Sequence, residues 1–110
     1  MTTANDSTAY RTVGQSSEVP EGYVMPYYVD DQKARVAVTR VEGVLYAFDD
    51  LCSHARCPLS SGLLTGTTVM CQCHGSQFDV TSGEVLRGPA TSPLKTYAVQ
   101  ETDGAIELGI

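Results

Sequence analysis

The chain of 110 residues gathers its strongest metal-binding side chains into one short stretch. All four cysteines and both histidines lie between Cys52 and His74. They form two groups separated by thirteen residues, Cys52-x-His54-x-x-Cys57 and Cys71-x-Cys73-His74. Because thiolates and imidazoles both bind soft or borderline metals, two such loops can close on one metal centre. The fold must therefore hold these two loops side by side.

The size and charge of the chain limit its domain organisation and its classes of partner. A net charge of −6 and the lack of a basic run argue against nucleic acid or an anionic membrane as a partner. No stretch is long and apolar enough to predict a membrane span. Residues 1–9 are polar and predict a flexible tail, followed by one domain over residues 10–110. With Met1 as the native start, we expect a cytoplasmic protein, in which cysteines bind metal more often than they form disulfides.

Short β-prone segments bounded by turn residues predict an all-β fold. Ala34–Val41 alternates in the manner of a half-buried strand, and Glu42-Gly43 turns it back into Val44–Asp49. Asp103-Gly104 predicts a second hairpin, and Pro26 predicts an edge strand or a bulge. About nine or ten strands indicate a small antiparallel sandwich or barrel with the Cys/His loops at hairpin tips. The segments are 10–13, 23–29, 34–41, 44–49, 67–71, 77–80, 84–86, 94–99 and 105–108.

Several centres could use these cysteines and histidines. Zinc is disfavoured, because the usual C-x2-4-C and H-x3-5-H spacings are absent and a mixed site leaves two cysteines unexplained. Inert buried cysteines would not explain why each loop pairs Cys with His, and a thiol-disulfide exchanger would need C-x-x-C before a helix. A two-iron, two-sulfur cluster held by two thiolates and two imidazoles accounts for four of the residues.

The same residues resemble the Rieske iron–sulfur family over about residues 10–108. The resemblance rests on Cys52-x-His54, sixteen intervening residues, and Cys71-x-x-His74 followed by Gly75, Ser76 and Phe78-Asp79. It implies a Rieske-like fold with a cluster-binding subdomain built from the two loops. It also implies one [2Fe-2S] cluster in which Cys52 and Cys71 bind one iron while His54 and His74 bind the other.

The resemblance also assigns roles to residues around the cluster. Cys57 and Cys73 correspond to the positions at which respiratory members carry a disulfide, so we expect that bridge here. Gly88-Pro89-Ala90 resembles the family's third loop, which shields the cluster. The reduction potential depends on hydrogen bonds to sulfur and on nearby charge. The residues expected to set it are Ser76, at a hydroxyl-donor position; Phe78, where high-potential members have Tyr; and Arg56, where the respiratory pattern usually has Gly.

These features imply a function in electron transfer. Both histidines are assigned to the cluster, so no 2-His-1-carboxylate iron site remains, and we expect a carrier rather than an enzyme. The resemblance implies a Rieske-type ferredoxin that takes one electron from a flavin-containing reductase and passes it to a terminal oxygenase or another acceptor. Two alternatives stay open: a small subunit docked stably in a larger oxidoreductase, and a zinc-stabilised interaction module. We expect a potential in the middle of the Rieske range, roughly −150 to +300 mV.

Overall fold

The computed structural model describes residues 10–53 and 57–110, with Asp31 described by its backbone alone. The predicted tail at residues 1–9 lies outside the described residues. Ten strands form in this part of the chain. They are β1 Tyr10–Gln15, β2 Val24–Val29, β3 Ala34–Val41, β4 Val44–Asp49, β5 Leu63–Thr65, β6 Thr68–Met70, β7 Gln77–Asp79, β8 Val85–Arg87, β9 Thr96–Thr102 and β10 Ala105–Gly109. Among these residues no helix has the length and hydrophobicity needed to cross a membrane.

The strands form two antiparallel sheets, which confirms the predicted all-β class. The larger sheet has six strands in the order β1-β10-β9-β4-β3-β2, and its two edge strands also touch, so the sheet curls towards a barrel. The smaller sheet has four strands in the order β5-β6-β7-β8. Pro26 lies on β2, an edge strand of the six-stranded sheet, which agrees with the predicted edge position.

The two predicted hairpins form at the expected turns. Glu42 and Gly43 both have positive φ (51° and 81°), and so do Asp103 and Gly104 (50° and 79°). Two consecutive residues with positive φ match the twist of paired strands, and for this reason a residue followed by Gly is a strong hairpin signal. The β3–β4 hairpin carries the chain directly to Cys52.

Strand β3 separates two hydrophobic cores, so our prediction of a half-buried strand is wrong. Its residues 36–39 are all fully buried. Val36 and Val38 pack into the core of the six-stranded sheet, whereas Ala37 faces the second core, which lies beneath the small sheet. The alternation in the sequence is real, but the small sheet covers the face that we expected to meet water.

Strand β5 was not predicted, because its three residues give no usable pattern. It pairs with β6 directly after Gly62. A Cβ at Gly62 would collide with the backbone carbonyl of Met70, so only glycine permits this approach. The small sheet therefore depends on a contact between residues that are eight positions apart.

Candidate metal centre

The two Cys/His loops are closed by equivalent backbone hydrogen bonds. In the first loop the N–H of Cys52 donates to the carbonyl of Cys57 at 2.8 Å, and Leu51 bridges to Pro58. In the second loop, between β6 and β7, the N–H of Cys71 donates to the carbonyl of Ser76, also at 2.8 Å. Each loop thus starts at a cysteine whose backbone is held by the residue five positions later. Such closure holds the backbone of both cysteines in place.

The four cysteines fall into two chemical classes. The sulfurs of Cys57 and Cys73 lie at bonding distance with their Cα atoms 6.5 Å apart, so a disulfide joins the two loops. Cys52 and Cys71 are free thiols and are 1% and 0% exposed. The sulfurs of Cys57, Cys71 and Cys73 all lie within 4.8 Å of one another, but two of them form the bridge and cannot bind metal as thiolates. The unbridged pair remains for a metal.

The described histidine is more exposed than the thiols. His74 lies at the exposed tip of the second loop, and Gly75 (φ 79°) turns the chain after it. His54 and Arg56 lie outside the described residues. The structure thus places Cys52, Cys71 and His74 on two adjoining loops with the thiols inside and the imidazole outside.

A third loop, between β8 and β9, is tied to both Cys/His loops. Ser76 is fully buried, and its Oγ accepts a hydrogen bond from the N–H of Ala90 at 3.0 Å. Ser53 Oγ donates to the carbonyl of Ser92 at 2.6 Å. Gly88 and Pro89 are exposed, while Ala90 is buried against the core. The predicted third loop therefore lies beside the other two and covers the interior behind them.

Ser76 still has a hydrogen to donate. A hydroxyl carries one donor and two acceptor lone pairs. The Ala90 N–H occupies one lone pair, so the hydroxyl hydrogen is left for another acceptor. Phe78 is fully buried and packs in the same core as Cys52 and Cys71, but its ring offers no donor. Of these two positions, only Ser76 therefore carries a hydroxyl that can donate a hydrogen bond.

Sequence reasoning missed Asp50, the carboxylate that supports the first loop. Asp50 is fully buried and accepts hydrogen bonds from Arg35 Nε at 2.5 Å, from the Ser60 N–H at 2.7 Å and from Ser60 Oγ at 3.0 Å. Its backbone carbonyl also accepts from the Leu59 N–H. One residue thus clamps the start of the loop, its return and strand β3. A single aspartate at the end of a strand carries no sequence pattern that would have revealed this role.

The donor set suits a soft metal centre. Two buried thiols can lose their protons and bind a metal as thiolates, and a neutral imidazole can supply a nitrogen ligand. Thiolate and imidazole ligands can hold a zinc ion, and they can also hold the two irons of a two-iron, two-sulfur cluster. The residues present therefore fit a cluster held by thiolates on its inner side and by imidazole on its outer side.

Comparison with known proteins points to one family. The family model described as "Rieske [2Fe-2S] domain" matches residues 9–98. The ferredoxin component of the naphthalene 1,2-dioxygenase system of Pseudomonas aeruginosa is 40% identical over 83 residues, which cover 76% of this chain and 78% of that protein.

Solved structures agree with the sequence matches. A ferredoxin of Sphingomonas yanoikuyae B1 superposes with a TM-score of 0.86 at 29% identity and covers 93% of this chain and 99% of its own. A complex of reduced oxygenase and oxidized ferredoxin in carbazole 1,9a-dioxygenase includes a match with a TM-score of 0.83 at 30% identity, which covers 91% of this chain and 92% of that chain.

The Asp50 clamp predicts a loss of stability when its charge is removed. In Asp50→Asn the amide nitrogen would face donors from Arg35 or Ser60, so we expect a loss of about 2 kcal/mol and a melting temperature lower by about 10 °C. Circular dichroism during heating measures this change. Asp103→Asn, the same substitution in an exposed turn that tolerates Asn, should leave the melting temperature unchanged. Equal effects of both variants would contradict the clamp.

The disulfide predicts a specific alkylation pattern. When the native protein is alkylated without reductant and digested, mass spectrometry should find the peptides of Cys57 and Cys73 joined and unalkylated. A bridge between residues sixteen positions apart contributes about 3 kcal/mol to stability, so reduction should also lower the melting temperature. Cys52 and Cys71 should react only after unfolding, because they are buried. Free, alkylated Cys57 and Cys73 in native protein would disprove the bridge.

Proposed function

Because the chain belongs to the Rieske [2Fe-2S] domain family, we propose that it is a ferredoxin that passes single electrons to a terminal oxygenase. The family's cofactor is one [2Fe-2S] cluster. The relatives named above are ferredoxin components and not oxygenases, so this chain is an electron-transfer component rather than an enzyme. The observation that carries the proposal is the pair of buried, unbridged thiols on two loops held together by a disulfide.

We assign the ligands within this proposal. Cys52 and Cys71 would hold one iron, and His54 and His74 would hold the other. The exposed position of His74 supports the assignment, because electron exchange needs one side of the cluster near the protein surface. The burial of both thiols supports it as well, because water is kept from the sulfur side. A [2Fe-2S] cluster supplies reversible uptake of one electron.

The protein's own residues would tune and protect that centre. The disulfide keeps the two loops at a fixed separation, so little reorganisation accompanies electron transfer. Ser76 would donate its hydroxyl hydrogen to a cluster sulfur, and its hydrogen bond from Ala90 holds the hydroxyl in place. Gly88 and Pro89, in the third loop, would limit access of water from one side. Arg56 would add a positive charge near the first loop, which favours the reduced state.

The partners in this proposal are two proteins. The terminal oxygenase as acceptor is supported by the solved complex of an oxygenase with a ferredoxin of the same fold. A flavin-containing reductase is proposed as the donor, because a flavin can divide a pair of electrons for one-electron carriers. The cytoplasm remains the proposed location. An intermediate reduction potential would allow the chain to accept from the first partner and donate to the second.

Analysis of iron and sulfide tests the proposed function. The purified protein should be coloured, should contain two irons and two sulfides per chain, and should give an EPR signal after reduction by one electron. Cys71→Ser should lose the cluster, because a hydroxyl is a poor ligand for iron in this setting. Ser61→Ala, which removes an exposed hydroxyl from the connector, should keep it. A colourless protein with one zinc per chain would overturn the proposal in favour of an interaction module.

Phe78→Tyr should raise the reduction potential. If the added hydroxyl donates to a cluster sulfur, a bond worth about 1 kcal/mol more in the reduced state raises a one-electron potential by about 40 mV. Protein-film voltammetry measures the change. The matched control is Phe48→Tyr, the same substitution at the chain's other phenylalanine, which is equally buried in the same core but lies on β4. An unchanged or lower potential in Phe78→Tyr would show that a hydroxyl at this position does not donate to a cluster sulfur.

A further inference from the structure

Both lysines of the chain line one cleft beside the first Cys/His loop. The chain contains only Lys33 and Lys95, which are 62 positions apart in sequence. Together with Arg35 and Tyr97 they surround a cleft of about 420 Å³ whose wall includes Cys52 and Ser53. We call this feature the lysine cleft. Three of the seven Lys and Arg side chains line this cleft, although the chain as a whole carries a charge of −6.

The fold holds these cations at the rim of the cleft. Lys33 follows the 3-10 turn Asp30–Gln32 and has a positive φ of 50°, which directs the chain sharply into β3. Lys95 directly precedes β9, and its Nζ lies 5.2 Å from the centre of the Tyr97 ring. Both lysines are exposed. Among the described residues neither lysine forms an ion pair.

Two acidic side chains beside the cleft, Asp49 and Asp50, are hydrogen-bonded within the fold. Tyr97 donates its hydroxyl hydrogen to Asp49 Oδ1. Burial, followed by the hydrogen bond to Asp49, raises the pKa of Tyr97, so the hydroxyl stays a donor. Asp50 is fully buried behind Arg35 and bonds to it, while the Arg35 side chain remains 42% exposed. Arg35 is paired with Asp50, whereas the two lysine ammonium groups are exposed and form no ion pair among the described residues, so they are the positive charges of the cleft that an incoming protein can pair with.

We infer that the lysine cleft docks an acidic segment of a protein that exchanges electrons with this chain. The inference rests on the proposed function, because it places the docked segment beside the loop that begins at Cys52. An acidic segment would meet repulsion over much of this negatively charged surface and attraction at the cleft. Local complementarity of this kind selects orientation and speeds association more than it adds affinity.

A labelled acidic peptide tests this inference on the holoprotein. The probe is a fluorescent peptide with four aspartates, and its anisotropy is measured at low ionic strength. An exposed ion pair contributes modestly, so Lys33→Gln and Lys95→Gln should each weaken binding roughly two- to fivefold, and the double variant roughly tenfold. The same peptide with four asparagines should not bind.

Arg87→Gln is the matched control. It removes one exposed positive charge, as the lysine variants do, but Arg87 lies on β8 and does not line the cleft. Binding by this variant should equal that of the wild type. Peptide binding that is absent in the wild type, indifferent to both lysines, or equally weakened by Arg87→Gln would overturn the inference.

Cluster measurements separate this inference from the proposed function. Iron content and the EPR signal of the reduced protein are recorded for every variant, and both should match the wild type because the substituted side chains are exposed and are not ligands of the proposed cluster. A cluster-bearing protein whose binding ignores the lysines would overturn the docking site and leave the carrier function intact. A protein without a cluster would overturn the carrier function, and with it this inference.

Discussion

The buried Asp50 residue joins strand β3 to both ends of the first Cys/His loop. It bonds to Arg35 on β3, to Ser60 beyond the first loop, and through its own backbone to Leu59. Burying a carboxylate away from water costs free energy of folding unless several hydrogen-bond donors satisfy it. Here three side-chain hydrogen bonds do so, and the same bonds hold the loop. The Asp50 clamp therefore holds both ends of a loop that has few apolar side chains of its own.

Local rules predicted the parts of the fold that depend on neighbouring residues. The β3–β4 and β9–β10 hairpins could be predicted because Glu42-Gly43 and Asp103-Gly104 signal their turns directly. The burial of Ala37 could not be predicted, because it depends on a small sheet formed by later residues. Strand β5 was not predicted for a similar reason, since its pairing depends on a close backbone approach at Gly62.

The candidate site was likewise predictable from the sequence only in part. The Cys/His groups were evident from composition and spacing, and the family resemblance supplied the pairing of Cys57 with Cys73, which spacing alone left open. The support around them was not evident. The hydrogen bond from Ala90 to Ser76 joins residues fourteen positions apart, and a serine gives no signal of such a partner. Ligand types are visible in a sequence, whereas the bonds that orient them depend on the finished fold.

The proposed carrier must bind each of its partner proteins briefly, and the distribution of charge suits that requirement. A large apolar contact would hold a partner too long, because dissociation sets the lifetime of most complexes. Two exposed lysines in an otherwise acidic chain offer little binding energy but a definite direction. Since the lysine cleft shares a wall with Cys52 and Ser53, orientation at the cleft also orients the first loop. Charge at the cleft would thus position the proposed redox centre against its partner.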